Sequence, residues 1–195
     1  MATTEELICS LEMEDLNMAA SCANNMSGVK NVYIAFKDDI ATFPKLPNVR
    51  EKFEDFAVLE GAIAMKNTKR FYHIYCSRDL GELKYTLQGP TGARSMKATL
   101  EIYHPGFKPK LLGMVSSTMN SELIILVRLN NGDIHLLGDK NRGVEYGDNP
   151  ELSSGKAVTD NNGGTLNFVF DTPTAQIYVE NNVDAITGVS TQVGG

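Results

Sequence analysis

The three histidines are the side chains of this sequence best suited to proton transfer or metal binding, because imidazole titrates near neutral pH and ligates metals. His73 alternates with apolar residues in a predicted strand, His104 precedes a proline, and His135 follows an Asn-Gly pair. A metal site needs converging ligands, and no spacing groups these histidines with one another or with cysteines. We therefore expect all three to be structural or surface residues.

Cys76 is the candidate nucleophile, but its position beside Tyr75 in a predicted strand is typical of a small core residue. With Cys9 and Cys22 it makes an odd number of widely spaced thiols, which fits reduced cysteines in a cytoplasmic setting. The sequence has neither a Gly-x-Ser-x-Gly elbow nor a phosphate loop that ends in Gly-Lys-Ser or Gly-Lys-Thr. We predict that the protein is not an enzyme, and we assign it no catalytic, cofactor-binding or metal-binding residues.

Residues 160–164 (Asp-Asn-Asn-Gly-Gly) place oxygen donors at alternate positions, as the start of a calcium loop does. The distal bidentate glutamate of such a loop is missing, so a hairpin turn is the better interpretation. Other carboxylates are interleaved with Lys52 and apolar residues, which predicts a solvated face without a paired acid and base. They are Glu51, Glu54, Asp55 and Glu60.

A small basic cluster, Lys66, Lys69 and Arg70, stands beside Phe71 and Tyr72. Cations next to aromatic rings suit a weak polyanion-binding patch. We favour the alternative that the cluster lies at the rim of a contact between subunits. The net charge of −6 at pH 7 supports this choice, because a groove for nucleic acid phosphates needs many clustered Lys and Arg residues.

A chain of 195 residues suits one domain, which at this size buries about 70% of the surface of the unfolded chain. The longest apolar run, residues 123–127, has the length of a strand and not of a membrane span. Residues 1–6 carry carboxylates where a secretory signal carries Lys or Arg, so export by the general route is not expected. We predict no interaction with a membrane.

Alternation of apolar and polar residues predicts a mainly β chain. Val32, Ile34 and Phe36 should share one face of the first long strand. Residues 130–133 should form a tight hairpin turn, because Asn-Gly tolerates the positive φ angles that such turns demand, and residues 160–164 should form another. The predicted strands are 29–36, 71–76, 83–87, 98–103, 123–129, 134–137, 165–170 and 176–179, with 57–65 as a further candidate.

Helical spacing replaces this alternation after residue 106. Phe107, Leu111, Met114, Val115 and Thr118 fall on one face of an amphipathic helix, which we predict at about 107–119. The predicted fold class is therefore mainly β (α+β): a β-sandwich or barrel of antiparallel strands with one flanking helix.

Three regions follow from the same patterns. Residues 1–28 form an acidic N-terminal arm, residues 29–180 form the β domain, and residues 181–195 form a small, polar tail that is mobile or ordered only by a neighbour. Within the domain, Pro44 and Pro47 predict a surface loop at 42–50 with extended backbone.

The order of short motifs between residues 111 and 166 is the most distinctive feature of the sequence. A helix rich in Leu and Met leads into an apolar strand, an Asn-Asn-Gly hairpin and several glycine-containing segments. These motifs are residues 111–115, 123–127, 130–132, 136–138, 143–146, 154–157 and 160–166. Together with Val-Lys-Asn-Val-Tyr-Ile-Ala at 29–35, the succession resembles tail-tube and head–tail joining virion structural proteins of tailed bacteriophages, particularly those that infect Bacteroidetes.

The resemblance covers about residues 29–179 and implies a tail-tube-like sandwich or barrel. Such subunits form rings, expected to be hexamers, that stack head to tail, bind other tail or portal proteins, and line a channel through which DNA passes without specific binding. The expected location is the virion, after assembly in the cytoplasm of the bacterial host. An acidic lumen agrees with free passage of DNA, since like charges repel.

The acidic segment 5–15 does not fit the pattern of these proteins, which leaves open an adaptor or completion protein at the head–tail junction in place of a repeated tube subunit. We expect the assembly contacts in the arm, in the loop 42–50 and in residues 139–154, whose Gly, Asn and Pro content suits a long, adaptable connection.

Two alternatives belong to other classes of protein. A non-catalytic β-sandwich that binds a carbohydrate or protein ligand is disfavoured by the absence of Trp, although Tyr72, Tyr103 and Tyr146 offer rings for stacking. A small hydrolase would need a converging acid and base, which the sequence does not provide.

Overall fold

The computed structural model describes residues 8–9, 13–16, 25–148, 150–180 and 182–188. The strands in this part of the chain are β1 (Ile8–Cys9), β2 (Val29–Phe36), β3 (Ile40–Thr42), β4 (Val49–Arg50), β5 (Val58–Leu59), β6 (Ala64–Met65), β7 (Tyr72–Ile74), β8 (Gly81–Gln88), β9 (Ser95–Pro105), β10 (Leu123–Leu129), β11 (Ile134–Leu137), β12 (Glu145–Tyr146), β13 (Glu151–Ser153), β14 (Gly163–Thr172) and β15 (Ile177–Tyr178). The helices are α1 (Pro109–Thr118) and α2 (Val183–Thr187), and Lys37–Asp39 and Phe53–Phe56 form single 3-10 turns.

Two sheets contain most of the strands. Sheet I has the order β5-β15-β11-β10-β2-β7 and is antiparallel except for the pair β5 and β15. Sheet II has the order β12-β14-β9-β8, with β13 beside β12 on the same edge of β14, and is antiparallel throughout. The prediction of a mainly β fold with a flanking helix is therefore confirmed.

The inner faces of the two sheets share one apolar core, which makes the architecture a sandwich. Alternate residues of β9 and β14 face alternate residues of β2, β10 and β11, and Leu111 of α1 closes one end. Pro109 occupies the first turn of α1, where its missing N–H costs nothing. The buried members are Val29, Val32, Ile34, Ile74, Ala98, Leu100, Ile102, Leu111, Leu123, Ile125, Val127, Leu137, Val144, Leu166, Phe168 and Phe170.

The outer face of sheet I is also buried, under the chain between β2 and β7 and under α2. Residues 123–127 are each at most 1% exposed, because β10 has apolar contacts on both faces. This second core explains why the apolar run of β10 is continuous and not alternating. Its buried members are Tyr33, Ala35, Ile40, Leu59, Ile63, Phe71, Ile124, Leu126, Leu136, Tyr178, Val183 and Ile186.

Most predicted strands are present with small changes in length, and three expectations need correction. The candidate strand 57–65 is two short strands, β5 and β6. The predicted helix begins at Pro109, so Phe107 lies before it and is 37% exposed instead of packed. Phe36 lies at the end of β2 and is 40% exposed, unlike Val32 and Ile34, which lie in the core.

The tail prediction is wrong for residues 182–188. Val183 and Ile186 of α2 lie in the second core, and Tyr178 donates its hydroxyl to the side chain of Asn182. Gly188 ends α2 with a φ of 64°, a conformation that favours glycine. Residues 189–195 lie outside the described residues. No described helix has the length and apolar character needed to cross a membrane.

The predicted hairpin at 130–133 is confirmed, with one difference in its backbone. The Gly132 N–H donates to the Leu129 carbonyl at 3.2 Å and Leu129 N–H to the Asp133 carbonyl at 2.8 Å. Gly132 has a φ of 107°, whereas Asn131 is not among the described residues with positive φ. The turn is therefore a three-residue connection in which the glycine alone needs special freedom.

The second predicted turn is placed differently. The connection from β13 to β14 comprises residues 154–162, and Gly163 and Gly164 already belong to β14. These glycines are required by close packing: a Cβ on Gly163 would lie 2.7 Å from the Tyr103 hydroxyl, and one on Gly164 would meet Leu152. The glycine pair thus serves the sheet and not a turn.

We expect Gly163→Ala to lower the free energy of unfolding by about 1–3 kcal/mol, since the added methyl group overlaps Tyr103 and the His104 carbonyl. Gly113→Ala is the matched control, because no atom lies within 4 Å of its Cβ position and alanine favours the helix by about 0.5–1 kcal/mol. Urea titration measures both. Equal effects of the two substitutions would contradict the packing role of Gly163.

Candidate assembly surface

Strand β8 is the most exposed part of the sandwich framework. It pairs with β9 along its whole length, from Gly81 opposite Ile102 to Gln88 opposite Ser95. Within the described part of the chain, its other edge pairs with no strand. On this edge, alternate residues of the eight-residue strand present N–H and C=O groups that are a template for pairing with another chain.

The side chains of β8 make this edge unusual. Leu83 and Tyr85 pack against the core between the sheets, and Leu87 lies on the same side of the strand. Leu87 is nevertheless 65% exposed. An apolar side chain on the inner row of a sandwich that remains uncovered marks a place where another surface can pack.

Glycines fix the path of β8 at both ends. A Cβ on Gly81 would lie 2.9 Å from the Val29 Cβ, so glycine lets β8 approach β2 closely. At the other end, Gly89 and Gly92 have φ angles of 89° and 90° in the turn to β9. Residues 88–92, Gln-Gly-Pro-Thr-Gly, have the composition that is typical of a turn.

The outward face of sheet II is polar, with more carboxylates than amines. Glu82 lies directly opposite Glu101 on β9, and Lys84 forms an ion pair with Glu82 at 3.0 Å. The carboxylates in outward positions are Glu82, Glu101, Glu145, Glu151 and Asp171. The cations are Lys84, Lys97 and Arg142, whose guanidinium pairs with Asp171 at 3.1 Å. The face therefore presents a negative field to anything that passes along it.

Two adjoining clefts lie at one end of this face, with volumes of about 330 Å³ and 370 Å³. Both are lined by Tyr103, Asn161 and Thr165. The ring of Tyr103 lies over Gly163, where any side chain would displace it. Of the other tyrosines proposed for stacking, Tyr146 is packed against Phe168, and Tyr72 lies in β7 of the other sheet.

The expectation for residues 139–154 is partly wrong, because this stretch is built into the fold. Val144 is fully buried, and β12 and β13 both pair with β14. Lys37 Nζ binds the Glu122 carboxylate at 2.7 Å and the Asn141 carbonyl at 3.2 Å. A long, adaptable connection is therefore not what the stretch provides.

Glu122 also holds residues 139–154 through a second hydrogen bond. Its other carboxylate oxygen accepts the Gly143 N–H at 2.9 Å. The hydrogen bonds from Lys37 and from Gly143 hold the pKa of Glu122 below its ordinary value.

The loop 42–50 is a surface connection, as predicted, with β3 at its start and β4 at its end. Lys45 makes a backbone pair with Glu60, with N–H to carbonyl distances of 3.0 and 2.8 Å. The arm reaches this loop: β1 runs parallel to β4.

Each histidine contacts a tyrosine ring, and the three pairs lie in different parts of the molecule. His73 lies 5.4 Å from Tyr33, His104 lies 6.4 Å from Tyr75, and His135 lies 5.7 Å from Tyr85, measured between ring centroids. The described residues contain no group of three ligating side chains that could hold a metal ion. No local sequence pattern predicts these pairings, because each joins residues that are far apart in the chain.

Hydrogen bonds hold all three rings. The side-chain amide of Asn31 lies 3.2 Å from His73 Nε2. His104 Nδ1 donates to the Tyr75 carbonyl at 2.9 Å, and the Tyr85 hydroxyl lies 3.1 Å from His135 Nδ1. Burial raises the pKa of Tyr85 far above its ordinary value. Burial also lowers the pKa of His135, although the Asp133 charge opposes this shift.

Cys76 is half-buried and packs against the core between the sheets. Its thiol donates to the Ser77 carbonyl at 3.4 Å, and burial raises its pKa, so the reactive thiolate is disfavoured. The side chain of Cys9 and the whole of Cys22 lie outside the described residues.

The other candidate residues have local structural contacts. The Asp160 carboxylate accepts the N–H groups of Lys156 and Ala157, which lowers its pKa. In the same way, Asp55 accepts those of Glu51 and Lys52. Both carboxylates reach back to N–H groups three and four residues earlier and so close backbone turns, and Asp55 does this at the start of the 3-10 turn Phe53–Phe56.

The basic cluster is dispersed by its contacts. Lys69 pairs with Asp39 at 3.0 Å, and the Arg70 guanidinium lies 5.0 Å from the Tyr72 ring centroid. Phe71, its neighbour in sequence, is fully buried in the second core. These contacts therefore favour a structural role for the cluster over binding of a polyanion.

Comparison with protein-family models, with curated proteins and with solved structures gave no match.

We expect the free energy of unfolding to fall as the pH is lowered from 7 to 5. The unfolded chain takes up a proton at His135 near the ordinary pKa of 6.5, whereas the folded chain resists it to lower pH. Stability from the neutral ring is thus complete above pH 6.5 and is lost as the pH falls toward the folded pKa.

His135→Asn should flatten this dependence, because asparagine does not titrate. Chemical denaturation at pH 5, 6 and 7 measures the slope, and Tyr146→Phe, which removes a buried hydroxyl that bonds Thr118 and not a histidine, is the control that should retain it. A residual slope is expected from His73, whose pKa is also lowered by desolvation. An unchanged slope in His135→Asn would contradict the role of its burial.

Proposed function

We propose that this chain is a virion structural protein of a tailed bacteriophage. Copies of it form a ring or tube at the tail or head–tail junction, around a channel for DNA. Its partners are further copies of itself, in a ring that is expected to be a hexamer, and other tail or portal proteins. It works in the virion after assembly in the cytoplasm of the bacterial host, without catalysis.

The observation that carries the proposal is the open edge of β8 with its uncovered Leu87. Proteins that stay monomeric protect such edges with charged side chains, prolines, bulges or inward-pointing charges. β8 has the charged pair Glu82 and Lys84 on its outward face, but it has no proline, pairs with β9 in unbroken register and carries an exposed leucine on its inner row. Pairing with a second copy would give hydrogen-bond partners to the backbone groups on the open edge of β8, and the same contact would bury the Leu87 side chain.

The outward face of sheet II supports the idea of a channel lining. Its carboxylates would repel DNA phosphates, so DNA would slide past without being held. The resemblance to tail-tube and head–tail joining proteins implies the same use of a sheet. The two-sheet sandwich with its helix α1 is compatible with that class of subunit.

A second candidate function rests on the clefts at Tyr103. A half-exposed ring beside amide, hydroxyl and carboxylate side chains is the kind of surface that binds carbohydrate. We rank it lower because both clefts are shallow and one tyrosine offers a single stacking platform. A protein ligand would need a larger apolar area.

Leu87→Glu tests the proposal. Burial of a leucine side chain contributes about 1.5–3 kcal/mol, so we expect the concentration needed for assembly to rise by about tenfold or more. Light scattering over a concentration series measures the mass of the particles. Wild-type protein should form rings or longer assemblies.

Val158→Glu is the matched control, since Val158 is fully exposed in the loop 154–162, outside β8, and its substitution introduces the same charge. It should assemble like the wild type. A wild-type chain that stays monomeric at every concentration would contradict the proposal, as would equal behaviour of the two variants.

A further inference from the structure

The N-terminal arm contacts the domain on a small surface formed by residues 49–53. β1 lies parallel to β4, with Ile8 beside Val49 and Cys9 beside Arg50. Further along, the Glu14 carboxylate accepts the Phe53 N–H at 2.9 Å. We call residues 8–9 and 13–16 the arm segment and residues 49–53 the acceptor.

The acceptor has its shape without help from the arm. Asp55 accepts the N–H groups of Glu51 and Lys52 at 2.9 Å and so fixes the turn that follows β4. Arg50 Nε donates to the Pro47 carbonyl at 3.0 Å, and its guanidinium lies 5.6 Å from the centroid of the Phe56 ring. A preformed acceptor can receive an arm from any copy of the chain.

The arm segment gains little apolar burial by docking on its own domain. Met13 is 87% exposed and Leu16 is 93% exposed, and Val49 in the acceptor is 48% exposed. Ordering an arm costs conformational entropy, and hydrogen bonds that replace bonds to water return little. The arm therefore needs a second surface to cover these apolar side chains.

We propose that the arm segment of one copy binds the acceptor of the next copy, in the register that β1 and β4 have within the chain. This inference rests on the proposed function and specifies one of its contacts. The contact consists of backbone groups and one carboxylate, so its geometry is the same within a chain and between chains, which favours exchange between protomers. The segment between residues 16 and 25 spans at most about 30 Å when extended, which is long enough to reach a neighbouring domain.

The exchange has a direction, and that direction determines the kind of assembly. Each copy gives an arm to one neighbour and receives an arm from another, through two different surfaces. Such heterologous contacts generate closed rings or open stacks. Met13, Leu16 and Val49 then lie at the junction of two copies, where their apolar surface is covered.

Disulfide trapping between two different variants tests the exchange. The donor keeps Cys9 and carries Cys22→Ser and Cys76→Ser. The acceptor carries Arg50→Cys with all three native cysteines replaced by serine. Cys9 and residue 50 are neighbours in the β1 and β4 register, so a mixture oxidised under assembly conditions should give a covalent heterodimer that disappears on reduction.

Three controls make the result decisive. Arg78→Cys in place of Arg50→Cys puts the thiol on an exposed turn away from the acceptor and should give no heterodimer. The pair Ile8→Cys and Val49→Cys, one on each chain and with Cys9→Ser, repeats the test in the same register without loss of the Arg50 contacts. Light scattering on each mixture reports assembly independently.

Each outcome has one meaning. Covalent heterodimers with both pairs and none with Arg78→Cys would establish the exchange. A further variant carries Cys9 and Arg50→Cys on the same chain. If the mixtures assemble without heterodimers while this variant forms an intrachain disulfide, the exchange is overturned and the proposed function stands. Absence of any assembly, with the intrachain disulfide only, would overturn both.

Discussion

Burial of β10 on both faces is the constraint on which the rest of the structure depends. Its five central residues are almost completely inaccessible to solvent, so the chain must supply an apolar layer on each side. Sheet II and α1 supply the first layer, and the chain between β2 and β7, together with α2, supplies the second. Strands at the borders receive no such cover. β8 is thus a well-ordered strand with an open edge, held by β9 on one side alone.

The same layering explains why chemistry is hard to find in this molecule. Its histidines pack on tyrosines, its conspicuous aspartates close turns, and Lys37, Glu122 and Gly143 hold the segment before β12. These polar groups serve the fold because each has a local partner. Among the described residues, the open edge of β8, the side chain of Leu87 and the side chains of Met13 and Leu16 in the arm have no such cover. The proposed assembly rests on these features.

Sequence patterns were sufficient to predict those elements that are determined by residues close together in the sequence. β10, β11 and their hairpin follow from β-branched residues around Asn131 and Gly132, and α1 follows from the spacing of Leu111 and Thr118. Sequence patterns were insufficient for elements whose structure depends on contacts between residues far apart in the chain. Gly163 and Gly164 have the composition of a turn but lie in a strand, because Tyr103 and Leu152 occupy the space of their side chains. α2 has Val183, Ala185 and Ile186 as its apolar residues, and it is a helix because the second core receives Val183 and Ile186. That β8 is an edge strand is a property of strand order, which no local pattern encodes.

The central claim is that β8 completes its hydrogen bonding with another copy of the chain. Hydrogen exchange of the backbone amides of residues 81–88, measured in dilute and in concentrated protein, tests it most directly. The account predicts that amides on the open edge of β8 become protected as concentration rises, while those of β10, which pairs with β2 on one side and with β11 on the other, keep the same rates. Equal exchange of the β8 amides at all concentrations, in samples whose mass shows that copies have associated, would contradict it.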